Sequence, residues 1–101
     1  MTRPKPRRRT RDEAGPLAPF ATYLADRRCT LGLTQADLAD LADVGVSSVR
    51  TLEAGHTSPT LAITLRVLDA LGLTLVSMPH EDARNLGGNT GELRTAEAGL
   101  Q

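Results

Sequence analysis

The chain has 101 residues, enough for one domain, and 40% of them are hydrophobic, enough for a small core. A single cysteine excludes an intramolecular disulfide and a cysteine-based zinc cluster, and two histidines are too few for a catalytic or metal set. We therefore expect no metal and no cofactor. No apolar run approaches the roughly 18 residues of a membrane span, so the sequence predicts a cytoplasmic protein.

The net charge of zero hides an uneven distribution. Residues 1–11 carry six basic side chains and no acidic one, so the remaining residues sum to −6. A polyanion would be attracted to this segment far more than to the rest of the chain. A solvated leader that only aids solubility is the alternative interpretation.

Composition divides the chain into three regions. Residues 1–16 are basic, contain proline and lack helical periodicity, so we expect a disordered arm. Residues 17–79 hold nearly all the large apolar side chains and form the predicted domain. Residues 80–101 contain four glycines and few aliphatic residues, and we expect a flexible tail with at most a frayed helix over 92–98.

The apolar spacing in the middle region predicts four helices. The first has a stripe of Phe20, Leu24 and Leu31, with Pro19 near its start and Gly32 at its end. The second begins at Thr34, an N-cap with an acidic residue three positions later, and ends by about residue 43. Its core face has three apolar residues: Leu38, Ala39 and Ala42.

The third predicted helix turns Val49 and Leu52 inward and stops at Gly55. For the fourth helix, residues 58–59 (Ser-Pro) are a start signal and Gly72 is the stop. Its predicted core stripe follows the i, i+4, i+7 spacing: Leu61, Leu65 and Leu68.

In residues 73–78 the apolar spacing is no longer helical, and the β-branched and apolar residues there predict one short strand that ends at Pro79. A lone strand leaves backbone N–H and C=O groups without partners, so we expect it to pair with the same strand of a second chain. The fold class predicted is thus all-α with one strand paired across a homodimer. The predicted dimer residues are Leu73, Leu75, Val76 and Met78.

The second and third helices are both short and are separated by a tight turn. This arrangement is typical of a helix-turn-helix, in which the second helix of the pair enters the major groove of DNA. A plain helical bundle is the alternative that the residue pattern leaves open.

Several spaced motifs resemble the Cro/repressor-type (XRE) helix-turn-helix family, which has a lambda-repressor-like fold. They are residues 34–39 (Thr-Gln-Ala-Asp-Leu-Ala), residues 44–45 (Val-Gly), and Val49, Leu52, Glu53 and Gly55. Residues 58–61 and 67–73, with the strand that follows, resemble HipB-type antitoxins more narrowly. The resemblance covers roughly residues 20–78.

The resemblance implies a set of residues that contact DNA. Gln35 and Arg50 are expected on phosphates, with a base edge as the alternative for Gln35 and guanine for Arg50. Val46, Ser47 and Thr51 are expected on base edges. The full expected set is Thr34, Gln35, Val46, Ser47, Ser48, Arg50, Thr51 and His56. The resemblance also implies a structural ion pair between Arg28 and Glu53. Asp43 stands where the family commonly has glycine, and an acid near DNA lowers affinity.

These observations predict a homodimeric transcriptional repressor that binds a pseudo-palindromic operator in double-stranded DNA and is nucleoid-associated when bound. The HipB-type resemblance implies a toxin partner such as a HipA-type kinase. The alternative is a protein-interaction module, or an antitoxin that acts mainly by binding its toxin. An enzyme is not expected, because no nucleophile, metal or phosphate-loop spacing is present.

Overall fold

The computed structural model describes residues 17–86, and all regular secondary structure in this range is helical. The predicted arm, residues 1–16, and the tail beyond residue 86 lie outside the described residues, as does the frayed helix predicted over 92–98. There are five helices in the described range: α1 (Ala18–Thr30), α2 (Gln35–Ala42), α3 (Val46–Glu53), α4 (Leu61–Ala70) and α5 (His80–Ala83). None of these helices is long and apolar enough to cross a membrane. The predicted all-helical class is confirmed.

The start of α2 has the capping box that the sequence predicts. The backbone N–H of Asp37 donates to the Thr34 hydroxyl at 3.0 Å, and the Thr34 N–H donates back to the Asp37 carboxylate at 3.0 Å. These two bonds satisfy donors that a helix start otherwise leaves unpaired. The bond from the Thr34 backbone N–H, and after it the Thr34 hydroxyl, lower the pKa of Asp37 below its ordinary value, because hydrogen bonds to the carboxylate favour its charged form.

The core lies where the first four helices meet. α2 packs against both α3 and α4, and α1 packs against α3. Five side chains are fully buried at this junction: Leu24, Leu38, Val49, Val67 and Leu71. Burying each one stabilises the fold by about 1.5–3 kcal/mol, so this aliphatic cluster holds the first four helices together.

The predicted stripe of α4 is wrong by part of a turn. Leu61 and Leu65 are exposed, and the buried residues are Thr64, Val67 and Leu68. The helix starts later than the Ser-Pro signal suggests, because the Thr60 hydroxyl accepts from the N–H of residue 63 and acts as the N-cap. Both stripes have helical spacing, and only the position of α4 against α2 selects between them.

Leu31 is also wrongly placed in the predicted core of α1. It is the C-cap of that helix and is 44% exposed. Gly32 follows with φ +75°, so the chain turns away just where the apolar stripe would have continued.

The predicted strand is not formed in this chain. Residues 73–79 have no regular secondary structure, and a short helix, α5, follows where a tail was expected. Leu73 instead donates its N–H to the carbonyl of Leu68 at 2.9 Å and packs against the core of its own chain. The physical reason is that a strand needs a neighbouring strand to accept and donate its backbone hydrogen bonds, and the described part of one chain contains no such neighbour.

Arg27 anchors the end of α4. Its Nε donates to the Leu71 carbonyl at 2.9 Å, which satisfies one acceptor at the helix C-terminus. Gly72 follows with φ +73°, and a Cβ there would lie 3.3 Å from the Arg27 guanidinium. Glycine at this position therefore permits both the left-handed turn and the close approach of the arginine.

Candidate nucleic-acid interface

The central feature of the site is the α2–turn–α3 unit. The turn begins at Asp43, which is the C-cap of α2 and has left-handed backbone angles of φ 59° and ψ 49°. Asp43 is the one non-glycine residue with positive φ in the described range. Its carbonyl accepts a hydrogen bond from Arg66 of α4 at 3.3 Å, which ties the turn to the rest of the domain.

The outer side of α3 presents two exposed side chains, Ser47 and Arg50. Val46, Ser48 and Thr51 are half-buried, and Val46 packs against the core. The Thr51 hydroxyl donates to the carbonyl of Ser47 at 2.7 Å, so it is left with acceptor capacity only. Ser47 and Arg50 are thus the most accessible of the residues expected on DNA along this helix.

The start of α3 is open to a ligand. Gly45 is the N-cap and supplies no side-chain acceptor to the first turn. The N–H groups of Ser48 and Val49 donate to the Gly45 carbonyl. The N–H groups of Val46 and Ser47, which come first in the helix, have no intrahelical acceptor. A helix N-terminus carries partial positive charge, so this end suits phosphate oxygens or base acceptors.

Arg28 and Glu53 form the ion pair that the family resemblance implies. Arg28 Nε donates to Glu53 Oε2 at 2.7 Å and Nη2 donates to Oε1 at 3.1 Å. Arg28 Nη1 also donates to the Leu33 carbonyl at 2.7 Å. The Glu53 hydrogen bond raises the pKa of Arg28, which stays charged. One guanidinium therefore joins α1, the loop before α2, and the end of α3.

Gln35 lies at the first position of α2, and its side chain points to the end of α3. Its Nε2 donates to Glu53 Oε1 at 3.0 Å. Gln35, Glu53 and Arg50 line an open groove together with Thr22 of α1. The structure thus brings two of the residues expected on phosphates, Gln35 and Arg50, to one place.

The other two expected residues lie at the margins of the site. The Thr34 hydroxyl is engaged by the α2 capping box. His56 is exposed in the loop after α3, and its backbone N–H bonds to the Thr51 carbonyl at 3.3 Å. Both residues flank the helix pair without lining the groove.

Three residues of this region were not predicted from the sequence. They are Thr22 in the groove, Arg66 at the turn, and Arg27 at the end of α4. The hydrogen bonds of Arg66 and Arg27 to backbone carbonyls cannot be predicted from residue spacing, because their partners are 23 and 44 residues away along the chain. Only the packing of the helices brings them together.

The charge around the helix pair is mixed. Arg50 is the cation of α3, whereas α2 and the turn present three exposed aspartates: Asp37, Asp40 and Asp43. No group of three or more metal-binding side chains is found in the part of the chain that the structure describes. A phosphate approaching α3 would meet attraction from Arg50 and repulsion from these carboxylates.

Comparison with known proteins assigns the family. A helix-turn-helix family model matches residues 24–77. The solved structure of the restriction-modification controller protein C.AhdI from Aeromonas hydrophila is 31% identical, with a TM-score of 0.53, and the match covers 57% of this chain and 88% of that one. No curated protein matches the sequence. The matched segment spans α2, the turn and α3, and the chain belongs to the XRE-type helix-turn-helix family of DNA-binding regulators, with its lambda-repressor-like fold.

Proposed function

We propose that this protein is a homodimeric transcriptional repressor that reads operator DNA with α3. The observation that carries the proposal is the open first turn of α3 with exposed Ser47 and Arg50. A recognition helix must project rigidly, and the ion pair of Arg28 with Glu53 ties α3 to α1.

The proposed contacts fall into two classes. Gln35, Arg50 and the basic arm of residues 1–16 hold phosphates, which position the protein without reading sequence. Ser47, Val46 and Thr51 face base edges. Because the Thr51 proton is already donated to Ser47, Thr51 would act as an acceptor there, for instance toward a cytosine or adenine amino group. Thr34, Ser48 and His56 complete the proposed set.

Substitutions at four positions test these roles. Arg50→Ala and Gln35→Ala are expected to weaken binding to every duplex about equally, whereas Ser47→Ala and Thr51→Ala change which bases are preferred, by about 1–3 kcal/mol per good contact. Binding is measured by mobility shift on the DNA upstream of the protein's own reading frame and on a scrambled duplex.

The matched control for these four variants is Thr30→Ala. Thr30 is exposed at the end of α1 and belongs to none of the proposed contacts. If all four variants fold and bind like this control, α3 is not the reading helix.

The proposed dimer uses the segment after α4, residues 73–78. Val76 is 63% exposed and Leu75 is 38% exposed, so both present apolar surface to a second copy. Leu73 and Met78 are half-buried in the single chain and contribute less. Antiparallel pairing about a two-fold axis would place two copies of α3 about 34–36 Å apart, one turn of DNA, and this spacing predicts a pseudo-palindromic operator.

Val76→Pro tests the dimer, because proline removes one ladder donor without touching the helical core. The expected result is normal helical circular dichroism, a halved mass by light scattering, and a large loss of operator affinity. Val76→Thr is the matched control, since it keeps the backbone donor and the β-branched shape. A proline variant that remains dimeric and binds normally would exclude this segment as the dimer interface.

The resemblance of residues 58–61 and 67–73, with the segment that follows, to HipB-type antitoxins supports a second candidate function, that of an antitoxin paired with a HipA-type kinase. One solved structure that this chain resembles is of a protein named as a controller of a restriction-modification system. Gene neighbours distinguish the two, since an adjacent kinase gene would support the antitoxin and an adjacent methyltransferase or endonuclease gene the controller. Co-expression with the neighbour and a growth assay then test neutralisation.

A further inference from the structure

The strongest feature that the proposed function does not use is the third hydrogen bond on Glu53. The carboxylate already has a complete partner in Arg28, which binds both of its oxygens. Its Oε1 nevertheless also accepts from Gln35 Nε2 at 3.0 Å. The Glu53 side chain is 8% exposed, so this bond is sheltered from competition with water.

The carboxylate is held almost without freedom. A bidentate arginine–carboxylate pair has fixed geometry, and Arg28 is itself anchored by a 2.7 Å bond to the Leu33 carbonyl. A glutamine side chain on a helix surface samples many rotamers and loses that freedom on binding a ligand. The bond to Glu53 therefore restrains Gln35 before any ligand arrives.

The restrained amide stays beside an exposed cation. Gln35, Glu53 and Arg50 line the same groove, and Arg50 lies one turn before Glu53 on α3. A glutamine amide has two N–H donors, and Glu53 takes one of them. The second N–H and the Arg50 guanidinium remain to bind an anion together, while Arg28 neutralises the charge of Glu53.

We infer that Glu53 is a positioning residue for DNA binding, which holds the Gln35 amide beside Arg50 so that the two side chains bind one backbone phosphate as a preformed clamp. This inference rests on the proposed function. It assigns to Glu53 a role in DNA affinity in addition to its role in joining α1 to α3. It also predicts that the effects of substituting Gln35 and Glu53 on DNA affinity are coupled, which a purely structural role of Glu53 would not produce.

A double-mutant cycle tests the coupling. Arg28→Met with Glu53→Leu removes the ion pair as a unit and leaves no buried charge without a partner, a change that other folds tolerate. Gln35→Ala is then measured in the natural and in this apolar background, by fluorescence anisotropy on the upstream duplex and on a scrambled duplex over a range of salt. Thermal unfolding of every variant is followed by circular dichroism.

The expected result is a roughly tenfold loss of affinity for Gln35→Ala in the natural background on both duplexes, as for a hydrogen bond to a charged group. In the apolar background the same substitution changes affinity less than about twofold. Glu53→Gln, which keeps an oxygen for Gln35, retains more of the coupling than Glu53→Leu. Arg50→Ala and Gln35→Ala combined cost less than the product of their separate effects, because they share one phosphate.

An equal effect of Gln35→Ala in both backgrounds, with folded proteins and a wild type that binds DNA, would overturn the inference and leave Glu53 a purely structural residue. A wild type that binds neither duplex at low salt would overturn the proposed function, and the inference with it. The two failures are distinguished by the wild-type measurement alone.

Discussion

The left-handed residue in the helix-turn-helix turn permits a prediction that separates backbone strain from charge. Asp43 ends α2 with φ 59°, and it is exposed next to the start of α3. Three substitutions remove its charge and differ in how well they accept this backbone: Asp43→Gly, Asp43→Asn and Asp43→Ala. All three leave the carbonyl that Arg66 binds.

The magnitudes follow from the geometry. A negative charge at a helix C-terminus costs about 0.3–1 kcal/mol, so each substitution gains that amount. Relative to glycine, alanine loses about 1–2 kcal/mol because its Cβ clashes in the left-handed region. Aspartate and asparagine also have a Cβ, but their short polar side chains tolerate that region better than alanine does. We expect Asp43→Gly and Asp43→Asn to be equal to or more stable than the wild type, and Asp43→Ala to be less stable.

The affinity of the three variants for DNA should depend on the lost negative charge and not on how well each residue accepts the left-handed backbone. A carboxylate about 10 Å from a phosphate in water costs about 0.4 kcal/mol, which is about a factor of two in the dissociation constant. All three variants are thus expected to bind about twofold tighter at low salt, with the difference abolished at high salt.

Two assays on the same proteins test both parts. Thermal unfolding by circular dichroism should place Asp43→Ala several degrees below Asp43→Gly, since 1 kcal/mol corresponds to about 4–8 °C in a domain of this size. Anisotropy titrations give the affinities. An alanine variant as stable as the glycine variant would refute the strain argument, and affinities that rank with stability would refute the charge argument.

Three further predictions concern the core, the cap and the arm. Leu38→Ala should destabilise the fold by about 3–5 kcal/mol in denaturant titrations, because Leu38 is fully buried, whereas Leu41→Ala on the exposed side of the same helix should cost less than about 0.5 kcal/mol. The pKa of Asp37 is lowered in the folded state, so the stabilising contribution of its carboxylate is present above about pH 4 and is lost as the pH falls through the folded pKa. The difference in unfolding free energy between wild type and Asp37→Asn should therefore shrink below about pH 4. A difference that stays constant with pH would contradict the capping role of this carboxylate. Deletion of residues 1–11 should weaken DNA binding and reduce the log–log salt slope by roughly 0.9 for each phosphate that the arm neutralises, and an unchanged slope would make the arm a solubility leader.

The sequence by itself determined the number of large helices and most of their ends. These depend on local chemistry, since Thr34 with Asp37 forms a cap from residues three apart, and Gly55 stops α3 because it accepts a left-handed φ of 85°. The inward faces of α2 and α3 were also predictable, because Leu38, Val49 and Leu52 are large apolar residues at helical spacing that can all be buried at once.

Only the tertiary structure decided which side of α4 is buried and whether residues 73–78 form a strand. Both stripes of α4 have helical spacing, and the choice depends on how that helix meets α2. A strand exists only through ladder hydrogen bonds to a partner strand, and the described range of one chain contains no partner strand for this segment. The restraint of Gln35 by Glu53 is likewise a tertiary fact: the two residues are 18 positions apart, and their bond forms because the core packs the start of α2 against the end of α3.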